Sequence, residues 1–125
     1  MNAFRFSKDH EWVKLDDEGN AIIGITDYAQ RELGDVVYVE LPEPGRELKQ
    51  NEDAAVVESV KAASDVKSPI GGTVLEVNTQ LGDTPETVNT EPTGAGWFMK
   101  LKPAAPSELD NLMDEEGYND FLKSF

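Results

Sequence analysis

The sequence predicts a mainly β fold, a small β-sandwich or flattened barrel with short helices and a helical C-terminal tail. Three observations carry that reading. Short runs rich in Val and Ile recur along the chain, and such runs favour pleated, half-buried strands. Gly, Pro, Asp and Asn separate the runs, and these residues favour turns. Helical spacing of apolar residues dominates only after Pro106. At 125 residues the chain is expected to form one domain over 1–125, with a core at about 10–103 and the tail at about 106–125.

In order, Trp12–Leu15, the turn residues Asp16–Asn20 and Ala21–Ile25 read as strand, turn, strand. A short helix follows. Thr26 is placed to cap its first turn and Gly34 to end it, with Tyr28, Ala29 and Leu33 close to one face. Val37–Leu41 alternates, placing Val37, Val39 and Leu41 on one face before Pro42–Gly45 turns the chain. Ala54–Lys61 and Ser64–Ser68 read as two facing strands, and Thr73–Val77 as another after the break at Pro69–Gly72. Val37–Gly45 and Val74–Gly82 echo one another, as do Leu33–Asp35 and Leu81–Asp83. The echo suggests two similar half-sheets flanking Ser59–Ala63. In the tail, Pro106 and Ser107 mark a helix start, with Leu109, Leu112 and Met113 at helical spacing. Tyr118, Phe121 and Leu122 suggest a second helix after Gly117.

Composition narrows the function. Twenty-five acidic residues against 11 basic ones give a net charge of −14. That balance argues against nucleic acid, whose phosphates need Lys and Arg, and against an anionic membrane surface. No run is long enough to span a bilayer, and the first dozen residues carry neither a signal core nor a transit pattern, so a cytoplasmic protein is expected. There is no cysteine and a single histidine, His10. Disulfides, thiolate metal sites and thiol nucleophiles are therefore absent, and no metal cluster is expected. The phosphate-cradling loop, the nucleophile-elbow serine and the zinc-protease helix motif are also missing. His10 reads as a structural hydrogen-bonder, and no catalytic residue is assigned.

Lys61 stands apart. It sits in Glu58-Ser59-Val60-Lys61-Ala62-Ala63-Ser64-Asp65, at the tip between two strand-like runs, with small residues after it and carboxylates on both flanks. The residues alone allow two readings: an ordinary solvated lysine, or an amine presented for acylation with a prosthetic arm.

Glu58-Ser59-Val60-Lys61-Ala62 resembles the lipoylation site of the glycine cleavage system H proteins. The likeness extends along the chain in order: His10–Val13, Gly24–Thr26 with Tyr28–Gln30, Leu33–Asp35, Val37–Gly45, Ser68-Pro69 near Gly72, Val88-Asn89, then Gly96-Trp97. The resemblance implies the barrel-sandwich hybrid fold of lipoyl and biotinyl carriers and a non-catalytic carrier, expected as a monomer. It implies lipoic acid amide-linked to Lys61, with Glu58, Ser59, Val60 and Ala62 read by the lipoyl-attaching enzymes. A pyridoxal-phosphate glycine decarboxylase (P-protein) would load an aminomethyl group on the arm. A tetrahydrofolate-dependent aminomethyltransferase (T-protein) would unload it, and dihydrolipoyl dehydrogenase (L-protein) would reoxidise it. Family members shelter the loaded arm in a cleft, which makes Glu11, Asp65 and Asp9 candidate partners for its ammonium group. Some relatives carry histidine where this chain has Tyr28, and a tyrosine there offers one hydrogen bond.

Alternatives are distinguishable. A biotin carrier has methionines beside its lysine, where this chain has Val60 and Ala62. Lipoyl domains of the 2-oxoacid dehydrogenases lack the His10–Val13 block and the tail. An H-like relay passing lipoyl or octanoyl groups to other lipoyl-dependent enzymes would present the same lysine. An unmodified interaction module would carry no adduct. The negative charge suggests steering towards basic rims on partner enzymes.

Overall fold

The computed structural model describes residues 4–124; Met1–Ala3 and Phe125, the ends of the expected domain, lie outside the described residues. Its strands are β1 (Phe4–Phe6), β2 (Glu11–Leu15), β3 (Ala21–Ile25), β4 (Val36–Glu40), β5 (Glu47–Leu48), β6 (Asp53–Ser59), β7 (Ala63–Lys67), β8 (Gly72–Val77) and β9 (Met99–Pro103). Three α-helices join them: α1 (Asp27–Leu33), α2 (Thr87–Thr90) and α3 (Glu115–Leu122). All pairings are antiparallel, in a six-stranded sheet ordered β1-β2-β3-β9-β8-β5 and a three-stranded sheet ordered β4-β6-β7. The expected mainly β sandwich is present. Neither sheet closes on itself.

The core lies between the sheets. Ile23, Phe98, Met99 and Leu101 meet Val57, Ile70 and Leu81 there, all fully buried. Burial of such side chains contributes roughly 1.5–3 kcal/mol each before chain entropy is subtracted. A second cluster of Phe6, Trp12 and Tyr118 fastens the tail to the larger sheet. The Phe6 and Tyr118 rings stack at 4.5 Å, and Met113 exchanges backbone hydrogen bonds with Phe6 at 2.8 Å. Trp12 Nε1–H donates to the Pro92 carbonyl at 2.9 Å, satisfying the one polar atom of a buried ring.

The local cues for α1 hold. Thr26 Oγ1 accepts from Ala29 N–H, and Gly34 closes the helix at φ 81°. Elsewhere the structure corrects the sequence. Val37 does not share a face with Val39. A register slip between Val36 and Tyr38 leaves Val36 and Val39 buried and turns Val37 and Tyr38 both outwards. Such a bulge breaks strict alternation. The two half-sheets are unequal, because the segment from Val74 runs inside the six-stranded sheet while the segment from Val37 starts an edge strand of the smaller one. Pro106–Asn111 is a 3-10 helix that Ser107 does not cap, because the helix begins at Pro106 with Ala105 in the cap position; beyond it Met113 extends to pair with Phe6. The last helix begins before Gly117, whose N–H is capped by Asp114 Oδ1 at 2.8 Å.

Candidate functional site

Lys61 stands in the turn that joins β6 to β7. Ser59 organises that turn with one hydroxyl. Its Oγ accepts from the N–H groups of Lys61 and Ala62, each at 3.1 Å, and donates to the Ala62 carbonyl at 3.1 Å. Ser59 N–H also donates to the Ala62 carbonyl, at 2.8 Å. The small residues Ala62, Ala63 and Ser64 are exposed and leave the lysine approachable.

The turn is not free in solvent. Val60 N–H donates to the Asp35 carbonyl at 3.0 Å, docking the tip on the segment after α1. Lys61 Nζ donates to the Glu32 carbonyl at 3.1 Å, where the helix end gathers partial negative charge. Asn89 secures the receiving segment. Its Nδ2 donates to the Gly34 carbonyl and to Gln30 Oε1, both at 2.9 Å, while its Oδ1 accepts from Val36 N–H at 2.8 Å. Asn89 belongs to the Val88-Asn89 pair of the sequence, but its neighbours there do not reveal this role, because its donors and acceptors lie more than fifty residues away in sequence. Among the described residues, no carboxylate comes within ion-pair distance of Lys61, although the chain carries 25 of them.

Beside the tip lies a cleft of about 330 Å³ that brings together Asp9, Glu11, Tyr28 and Asp65. Five elements supply it: the loop before β2, β2 itself, the end of β3 at Ile25, α1 and β7. Ala29 and Leu33 form an apolar wall, and Glu32, whose carbonyl holds Lys61, lies on the rim. His10 lines the same cleft, a place that its reading as a purely structural residue missed. It adopts φ 67°, packs on Tyr28 at 4.5 Å, and sets Nδ1 2.8 Å from the Tyr118 hydroxyl. That hydroxyl lies 2.8 Å from Thr26 Oγ1, so a polar chain runs from the tail helix through the cleft wall to the start of α1. Burial lowers the His10 pKa, partly offset by Asp9 and Glu32, which favours a neutral ring at pH 7.

The carboxylates differ in environment. Glu11 is 3 % exposed. Burial pushes its pKa up to about 7, against a hydrogen bond from Ser7 Oγ at 2.5 Å that favours the ionised form. Asp9 and Asp65 are exposed on the cleft's sides. A cleft with one buried carboxyl whose pKa is raised, two solvated ones and an apolar wall suits a cationic group on an apolar stem.

A lysine on a docked hairpin of a two-sheet β scaffold, with an acid-lined cleft beside it, is the arrangement of a prosthetic-group carrier. The model of the family described as "Glycine cleavage H-protein" matches residues 4–125, and the chain belongs to that family. Members are lipoyl-carrier subunits of the glycine cleavage system. The glycine cleavage system H protein of Rhodospirillum rubrum is 57 % identical over 122 residues, covering 98 % of this chain and 97 % of its own. That of Parvibaculum lavamentivorans is 56 % identical over 124 residues, covering 99 % and 98 %. The crystal structure of a glycine cleavage system H protein from Mycobacterium marinum superposes with a TM-score of 0.89 at 34 % identity, covering 98 % of each chain. No helix among the described residues is long and apolar enough to cross a membrane.

Proposed function

We propose that the chain is a non-catalytic cytoplasmic carrier, bearing lipoic acid in amide linkage to Lys61. It would receive an aminomethyl group at the P-protein, yield it at the T-protein and be reoxidised by the L-protein. The observation that carries this reading is the cleft joining Asp9, Glu11, Tyr28 and Asp65 at the side of the hairpin that presents Lys61. Lipoate supplies, when bound, a cyclic disulfide on a flexible arm, the reactive sulfur that this cysteine-free chain lacks.

The remaining work falls to the chain's residues. The Ser59 hydroxyl fixes the backbone on both sides of Lys61, so the attaching enzyme meets a preorganised turn with Glu58, Val60 and Ala62 in set positions. Glu11 and Asp65, with Asp9 at the edge, would hold the ammonium end of a loaded arm, and an arriving ammonium would draw Glu11 into its ionised form. Tyr28, Ala29 and Leu33 would cover the arm and limit water around a group that water decomposes. Residues 1–125 act in this reading as one carrier domain with its tail folded against the larger sheet.

The test is intact mass of the protein from its native host. A lipoyl increment that Lys61→Arg abolishes is the expected result; a biotin-sized increment, or none, would overturn the reading. The lipoylated protein should then support glycine–bicarbonate exchange with a competent P-protein. Failure at that step alone would point to a lipoyl or octanoyl relay.

A further inference from the structure

Among the described residues, the large apolar side chains that stand exposed are Val37 at 55 %, Tyr38 at 50 %, Val60 at 67 % and Leu75 at 43 %. The first three are neighbours. β4 pairs Val36 with Ser59 and Tyr38 with Glu58, and Val60 N–H docks on Asp35, next in chain to Val36. The slip between Val36 and Tyr38 is what makes the strip, since strict alternation would leave only one of Val37 and Tyr38 outside. A bulge on an edge strand also discourages strand pairing, but charged residues would serve that end better than Val and Tyr. The rim is acidic: Asp35 precedes the strip, Glu58 stands opposite Tyr38, and Glu40 follows two residues on, all exposed.

We propose that Val37, Tyr38 and Val60 form the docking strip for the ATP-dependent enzyme that acylates Lys61, received by an apolar recess bordered with Lys or Arg. The proposal rests on the reading of Lys61 as the lipoyl site. Reach singles out an enzyme that acylates Nζ over enzymes that work on the end of the arm. In the coupling step the neutral Nζ attacks the acyl-adenylate carbonyl, the new C–N bond forms, the acyl–phosphate bond breaks, AMP leaves and the surplus proton passes to solvent. This chemistry needs Nζ itself inside the active site, so Val60, its chain neighbour, must lie within the enzyme's footprint, and the Val60–Asp35 bond brings Val37 and Tyr38 with it. Enzymes that work on the far end of a finished arm act a full arm length away. Carboxylates around an apolar centre complement a basic rim and speed encounter with it.

The experiment uses the unmodified full chain as acceptor for a purified ATP-dependent lipoate-attaching enzyme, with lipoate and ATP. Initial rates are read by intact mass over a range of acceptor concentrations. Val37→Ser/Tyr38→Ser should raise the acceptor KM about tenfold and leave kcat within about twofold, the signature of lost uniform binding. Tyr38→Phe should keep the wild-type KM, and Leu75→Ser on the other sheet should change it by less than about twofold. Thermal melts check that each variant folds. A wild-type KM in the folded double variant would overturn the proposal while leaving the lipoyl reading intact. Wild-type chain that accepts no acyl group would instead defeat the lipoyl reading. Self-association of the wild type that the double variant loses would assign the strip to a second copy of the chain and also overturn the proposal.

Discussion

Two hairpin turns in this protein are built on the same plan and put to opposite uses. In the β2–β3 turn, Asp16 Oδ1 accepts from the N–H groups of Glu18 and Asn20, both at 2.9 Å. In the β6–β7 turn, Ser59 Oγ accepts from Lys61 and Ala62 in the same manner. The first turn uses a charge, and Lys100 comes to that charge at 3.5 Å, with Glu76 at 4.0 Å on its other side. The second turn uses a neutral hydroxyl, and its lysine rests on a backbone carbonyl instead of a carboxylate. A lysine held by two acids is committed to structure. A lysine held by one carbonyl can be withdrawn by an enzyme at the cost of a single exposed hydrogen bond, worth about 1 kcal/mol or less.

The sharpest way to break the comparison is to exchange each lysine for arginine. Lys61→Arg should remove the lipoyl increment completely, and Lys100→Arg should leave it intact, both read by intact mass. Retention of the increment in Lys61→Arg would move the modification elsewhere and end the contrast between the turns.

The Glu11 carboxyl of the cleft and the Asp16 carboxyl of the first turn should titrate in opposite senses. Glu11 has a pKa raised to about 7 from 4.5, chiefly by burial. Between those values the folded state holds a proton that the unfolded state has lost. Its contribution to stability is therefore full below about pH 4.5 and declines until about pH 7, a cost of about 3 kcal/mol. Glu11→Gln keeps an acceptor for Ser7 Oγ and should gain most of that amount at pH 8 and little at pH 4, measured by denaturant melts at both values. The same variant should hold a loaded arm less well, read as faster loss of the aminomethyl group.

How much of this was legible in the sequence differs between the turns and the cleft. The Asp16–Asn20 turn, the Thr26 cap, the Gly34 stop and the Lys61 tip are local signals, written in adjacent residues, and they stand in the structure as read. β9 is not legible as a strand because Met-Lys-Leu-Lys-Pro is short, carries two lysines and ends in proline, yet it sits in the middle of the larger sheet, where β3 and β8 supply its partners. The outward turn of Val37 could not be read either, because a bulge is decided by pairing with β6. Asp9, Glu11, Tyr28 and Asp65 come from four separate elements, so only likeness to a family could assemble them beforehand. His10, Glu32 and Asn89 have no such spacing signal, since their roles rest on contacts with residues distant in sequence.

A finer test compares the glycines of the two neighbourhoods. Gly19 and Gly34 sit at φ 82° and 81°. A Cβ on Gly19 would meet nothing within 4 Å, whereas one on Gly34 would lie 3.1 Å from Lys61 Cδ. Gly34 also has ψ −161°, a region nearly confined to glycine. Gly34→Ala should cost about 2 kcal/mol by thermal melt, and Gly19→Ala about 1 kcal/mol. Only Gly34→Ala should also push the lysine stem off the end of α1, seen as a change in the Lys61 side-chain NMR signals of the unmodified protein. Equal lysine signals in both variants would mean that the docked position of Lys61 does not depend on Gly34.

The smallest expected effects separate the two turns by pH. Ser59→Ala should cost about 1 kcal/mol, independent of pH, and slow acylation by loosening the backbone on both sides of Lys61. The Asp16 carboxyl is held below the usual carboxylate range, first by the Asn20 N–H, then by Glu18 N–H and Lys100. A carboxyl with a depressed pKa stabilises fully above its unfolded value and loses that contribution as pH falls through the folded one. On acidification the amide signals of Glu18 and Asn20 should therefore move as Asp16 takes its proton, while those of Lys61 and Ala62 stay in place. Movement of all four together would mean that the Ser59 turn answers to the charged groups around it and is not the self-contained hydroxyl turn its hydrogen bonds describe. The Ser59 hydroxyl, the backbone contact of Val60 with Asp35 and the Glu32 carbonyl that receives Lys61 are all neutral partners, so none of them offers a carboxylate whose protonation would reset the tip.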